Sequence, residues 1–148
     1  MITKEQDEIT QEIRVAASAD RIFSALTNPA ELTVWWGDEA TYRCNSWKVD
    51  LRVGGHWRAE GIGSGGNPFF VEGEYLEIDP PKVLVYTWKA SWHTIPPTTV
   101  RWVLVPRGSK TLVLVTHSGF AGNLDALDDH KNGWPSVLLW LDRYVSQR

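Results

Sequence analysis

Two titratable side chains in this 148-residue chain stand where chemistry could be done, each inside a run of alternating apolar residues. His117 follows Val113 and Val115 at a period of two, which turns its imidazole inward, where it can donate, accept or shuttle a proton near neutrality. Tyr86 lies between Leu84 and Trp88 on the same pattern and offers a phenol to the same interior. The competing readings are structural: a histidine satisfied by a carbonyl or an indole, and a core tyrosine.

Around these two are nine tryptophans. Trp57, Trp88, Trp102 and Trp134 come from separate segments with inward parity, so together they can box a flat apolar ligand. Core filling is the better reading of any single ring. Four such rings at once are hard to pack without a void, which favours a pocket for the set. Trp35 and Trp36 fall where a helix pair meets a sheet, one suited to the core and the other to a pocket wall, and Leu138 adds to the wall from a later helix. Asp38 and Glu39 beside them could hold a cation at the rim, although solvated carboxylates are far commoner.

Standard catalytic motifs do not occur. There is no Gly-x-Ser-x-Gly elbow, no phosphate-binding loop with its lysine, no His-Glu-x2-His and no dinucleotide fingerprint. His56, His93, His117 and His130 lack the local spacing of metal ligands, and Cys44 is the only cysteine. No metal or cofactor is expected.

The elements that must position these residues follow from periodicity. Ile9, Gln11, Ile13 and Val15 mark a first strand; Ser18 then caps a short helix carrying Ile22, Phe23 and Leu26, and a second helix runs from about Pro29 to Val34. From residue 40 to 118 the period is two, implying a run of antiparallel strands. Trp47, Val49, Leu51 and Val53 alternate up to Gly54-Gly55. A two-residue loop there would bury Arg52 and Asp50 beside Trp57, so a three-residue loop pairing Val53 with Trp57 is preferred. Gly61 to Pro68 is a glycine-rich loop, read as a hairpin tip or, less readily, as a mobile mouth. Phe69, Val71, Gly73 and Tyr75 form one inner face, and Val100, Trp102 and Leu104 another. Trp134, Val137, Leu138, Leu141 and Val145 form one helical stripe, with Pro135 marking a kink or a nearby helix start.

Composition sets the class. With 43% hydrophobic and 22% charged residues, the chain reads as one globular domain over residues 1–148. A net charge of −3 without a basic stripe argues against nucleic acid. The longest apolar run, Val137 to Leu141, is too short for a membrane span, and Met1 to Glu8 carries no secretory leader pattern. A cytoplasmic setting is expected.

The order of motifs resembles the SRPBCC superfamily, the START-like or helix-grip fold, and within it the family of the activator of the ninety-kilodalton heat-shock protein ATPase. The resemblance rests on Val15 to Leu26, Trp35-Trp36, Val53-Gly-Gly-His-Trp57, Gly73 to Pro81, Leu84 to Trp88, Thr116 to Phe120, and Gly133-Trp134 followed by Leu138, Leu141 and Tyr144. It implies an α+β fold: a curved antiparallel sheet of about seven strands around a long C-terminal helix, with two short helices after the first strand.

The function expected first is binding of a hydrophobic aromatic or lipid-like molecule between sheet and helix, oriented by His117, Tyr86 and the indole N–H groups. An enzyme of cyclase, dehydratase or hydrolase type in the same cavity, with His117 or Tyr86 as acid or base, is the alternative. Regulation of a heat-shock chaperone ATPase, implied by the resemblance, is a third. A homodimer is left open.

Overall fold

The computed structural model describes residues 2–146; Met1, Gln147 and Arg148 lie outside the described residues. After a 3-10 turn at Lys4–Gln6 come β1 (Ile9–Val15), α1 (Ala19–Thr27), α2 (Pro29–Trp35), β2 (Tyr42–Val49), β3 (His56–Gly63), β4 (Pro68–Asp79), β5 (Val83–Ala90), β6 (Thr98–Arg107), β7 (Lys110–Ser118) and α3 (Leu124–Val145). The strands form one antiparallel sheet in the order β1-β7-β6-β5-β4-β3-β2. This is the helix-grip arrangement. No helix among the described residues is long and apolar enough to cross a membrane.

The local signals for the first helices act as expected. Ser18 caps α1 by accepting from the Arg21 N–H at 3.1 Å, and Asn28 caps α2 by accepting from Ala30 at 3.0 Å, with Pro29 in the first turn. Helix α2 extends one residue beyond the expected end and stops between the paired tryptophans. Trp35 stays helical, while Trp36 takes an extended conformation, φ −83° and ψ 100°.

The hairpin between β2 and β3 differs from expectation. The strand ends at Val49, which pairs with Trp57, so residues 50–55 form the connection and Leu51 and Val53 are exposed. Two sets of bonds hold this loop. Asp50 N–H donates to the His56 carbonyl and Gly55 N–H to that of Arg52, while the Gly54 N–H and the Gly55 carbonyl bond to Tyr75 of β4. The partner of Trp57 is thus displaced by four residues, an even number, so Trp47 and Val49 keep their expected inward side, while Leu51 and Val53, expected on the same face, lie outside the strand. A bulge at Asn45 adds what periodicity cannot show: Cys44 before it and Trp47 after it both turn toward the core.

Helix α3 also begins earlier than its apolar stripe suggests and runs through Pro135. The Lys131 carbonyl loses its intrahelical donor there, but Lys131 is exposed and water can take its place. The helix backbone comes close to β1, α1 and α2. A cluster on Glu31 ties the three helices: the carboxylate accepts from Ser24 at 2.5 Å, from Arg21 at 2.5 Å and from Tyr144 at 2.8 Å. Opposite β3, β4 and β5, side chains and open space fill the interval.

Close approach of backbone requires glycine at several positions, and Gly73 is the tightest of them. Gly73 pairs with Trp57 across the sheet, and a Cβ there would stand 1.8 Å from the Thr87 carbonyl oxygen and 2.7 Å from the Trp57 Nε1. Gly133, inside α3, has nothing within 4 Å of the same position. Gly73→Ala is therefore expected to lose at least about 1–3 kcal/mol of stability. Gly133→Ala should gain roughly 0.5–1 kcal/mol from helix propensity. Urea denaturation of the two variants measures both signs.

Candidate functional site

Between the inner face of β2 to β5 and the first half of α3 lies an open cavity of about 640 Å³. Trp47, Ala59, Val71 and Trp88 form its sheet wall; His130, Trp134 and Val137 form its helix wall; Trp36 comes in from the end of α2. The hairpin tip between β3 and β4, with Ser64 and Asn67, borders the cavity, as do Ser91, Trp92 and Asp129. Gly61 to Gly63 and Pro68 are strand residues, so the expected loop shrinks to that tip.

Of the residues singled out from sequence, Trp36, Trp88 and Trp134 border this space. Trp35, Trp57, Tyr86, Trp102, His117 and Leu138 do not; all six are buried behind it. Trp35 sends its N–H to the Ala25 carbonyl at 2.8 Å and belongs to the core. The expected box closes on itself instead of staying hollow. Ring centroids of Trp57 and Trp88 are 5.7 Å apart, those of Trp88 and Trp134 6.2 Å, and those of Trp134 and Trp102 5.5 Å. Trp102, fully enclosed, is sealed behind Trp134.

His117 and Tyr86 are occupied within the protein. The Trp134 N–H donates to His117 Nδ1 at 3.1 Å, which leaves the imidazole proton on Nε2 to donate to Thr98 Oγ1 at 2.6 Å; Thr98 in turn donates to the Trp88 carbonyl at 3.2 Å. Tyr86 accepts from the Trp102 N–H at 2.9 Å, and burial pushes its phenol well above the ordinary tyrosine range. Neither reaches the cavity, so the roles expected for them as ligand contacts or as acid and base are not supported by position. Asp38 likewise accepts from Thr41, Ala40 and, at 3.1 Å, the Trp140 N–H, so its carboxylate organises the turn before β2.

The residues that sequence reasoning missed are Tyr42, Cys44, Trp47, Phe69, Trp92, Asp129 and His130, all on the cavity surface. His130 is the most connected. Its Nδ1–H donates to the Ala126 carbonyl at 2.8 Å and its Nε2 accepts from the Trp88 N–H at 3.0 Å, which assigns a neutral tautomer. Asp129 Oδ2 accepts from Trp92 Nε1 at 2.8 Å and bonds His93 Nε2 at 2.9 Å. Partial burial opposes the Asp129 charge, but those two hydrogen bonds and the neighbouring imidazoles together outweigh it and hold the carboxyl below its ordinary range. Burial pushes the Cys44 thiol up to about 12, so it is protonated and a poor nucleophile at neutral pH.

His93, Asp129 and His130 together place three potential metal donors within 4.8 Å of one another, a cluster that their spacing in sequence did not suggest. With both ring nitrogens of His130 engaged, an ion would have to displace the Trp88 N–H and leave it buried without a partner. The arrangement fits a hydrogen-bond relay better than a metal site.

The buried imidazoles make stability depend on pH. Burial lowers the pKa of His117, with the neighbouring His130 adding to the effect, and burial lowers that of His130. The unfolded chain takes up protons on both below about pH 6.5 while the folded chain resists, so stability is full above that value and falls below it. The expected loss is up to about 1.4 kcal/mol per pH unit for each histidine. Urea unfolding from about pH 7.5 down to about pH 5 should show this slope, and His130→Gln should flatten it; a level wild-type profile would contradict the assignment.

Comparison with known proteins places this geometry in a family. Solved structures superimpose along nearly the whole chain. Protein Ms6760 from Mycobacterium smegmatis matches with a TM-score of 0.86 at 17% identity, covering 100% of this chain and 96% of its own. Protein CV1439 from Chromobacterium violaceum gives 0.84 at 22% identity, with 96% and 99% coverage, and CalU16 from Micromonospora echinospora gives 0.70 at 26%, with 94% and 76%. No curated protein is significantly similar in sequence. The family model described as activator of Hsp90 ATPase homolog 1-like protein matches residues 16–146, and the chain belongs to that family.

Proposed function

We propose that the protein binds a hydrophobic small molecule in the cavity between the sheet and α3. The observation that carries this reading is the cavity itself, about 640 Å³ of open space walled mainly by aromatic rings. Sites for small ligands have this size and lining. A guest burying roughly 300 Å² of apolar surface would gain about 7 kcal/mol before the cost of association, which leaves weak binding from burial alone, and a larger guest or a specific contact is needed for micromolar affinity.

Of the two other readings, catalysis by His117 or Tyr86 finds no support in where these residues lie. Regulation of a chaperone ATPase rests on the family's description, and it would use the surface of the domain rather than its interior. An ATPase assay separates it, since substitutions in the cavity should then have no effect.

A neutral polycyclic aromatic such as phenanthrene is expected to quench tryptophan fluorescence and raise the melting temperature by several degrees. Val71→Phe, which extends a ring from the sheet wall into open space, should leave the protein folded and weaken that binding by about tenfold or more. Unchanged fluorescence and melting temperature at saturating probe would overturn the proposal.

A further inference from the structure

The cavity is rich in aromatic rings whose own N–H donors are mostly engaged, and the donors left on its surface are neutral ones, the hydroxyls of Tyr42, Ser64 and Ser91 and the amide of Asn67. Four of its lining indoles have their N–H groups engaged inside the protein: Trp36 to Tyr42 Oη at 3.0 Å, Trp88 to His130 at 3.0 Å, Trp92 to Asp129 at 2.8 Å and Trp134 to His117 at 3.1 Å. Trp47 Nε1 has no partner among the described residues, but it is buried beneath the surface of the wall. A carboxylate or phosphate entering here would find neutral donors at the rim but no cationic side chain among the described lining residues to offset its lost hydration.

Acceptors and negative charge are present instead. Asp129 sits on the cavity surface with its side chain 50% exposed, and among the described residues only its Oδ2 is hydrogen-bonded, which leaves Oδ1 for a guest. No lysine or arginine is among the described residues lining the space. His130 is neutral, so nothing on the helix wall repels a cation. Burial raises the pKa of the Tyr42 phenol, with Cys44 next and the fields of Asp38 and Asp129 adding smaller contributions.

We infer that the guest is a hydrophobic organic cation, an amine or quaternary ammonium on an apolar body, with its charge on the Asp129 side. The electron-rich faces of tryptophan attract such a group, and a nearby carboxylate completes the match. A neutral ligand of the same shape gains burial alone. An anion loses hydration and meets like charge.

This inference rests on the cavity-binding reading, and one pair of probes tells the two apart. Benzyltrimethylammonium and neopentylbenzene have the same shape and differ in charge. At low salt the cation is expected to bind about tenfold tighter than its neutral counterpart. Asp129→Asn, which can still accept from Trp92, should reduce that preference severalfold and leave the neutral probe's affinity unchanged, so the neutral probe reports that the variant is folded. Equal or tighter binding of neopentylbenzene would overturn the charge preference while the cavity reading stands. If neither probe binds, both fall.

Discussion

A buried indole must bring its N–H to an acceptor, and in this core that requirement determines where the large rings stand. Of the nine tryptophans, Trp47 and Trp57 alone have a buried N–H without a partner among the described residues. The others bond to acceptors spread over the helices and the sheet: a carbonyl in α1, phenols in β2 and β5, carboxylates before β2 and in α3, and one imidazole each in β7 and α3. The Trp134 to His117 bond joins α3 to β7, and the Trp88 to His130 bond joins β5 to α3. These bonds cross the interior at the inner end of the cavity.

Such bonds resist further collapse. For α3 to close onto β3 and β4, Trp88 and Trp134 would have to leave acceptors that are themselves buried, stranding polar groups on both sides. The Glu31 cluster and the approach of α3 to β1 set the other end of the helix. The hollow is a consequence of satisfying polar atoms on large rings. Its chemistry follows from the same cause, because donors used to fix the walls are not available to a guest.

Much of the fold was legible because parity is robust. The strand faces carrying Val71, Tyr86, Trp102 and His117 are inward as their period of two implies, and even the misplaced hairpin kept Trp47 and Val49 on their expected side, being displaced by an even number of residues. The cavity was less legible. Trp36, Trp88 and Trp134 were found, but inward parity does not say whether a ring meets space or another ring, and Trp57 and Trp102 meet rings. Tyr42 and Cys44 sit on one parity and Trp47 on the other, separated by a bulge that no composition signal marks. Trp92 lies in a loop without a period. His130 carries a periodic signal, since the stripe from Trp134 continues back by four to His130 and by seven to Leu127, on the N-terminal side of Pro135.

The most direct measurement is a titration of the indole N–H resonances by nitrogen–proton correlation NMR with a neutral aromatic guest. The largest shifts are expected at Trp36, Trp47, Trp88, Trp92 and Trp134, which border the cavity, with Trp35 and Trp102 the least moved. Shifts centred on Trp35 and Trp102, or none at any indole, would contradict a hollow held open in front of Trp134.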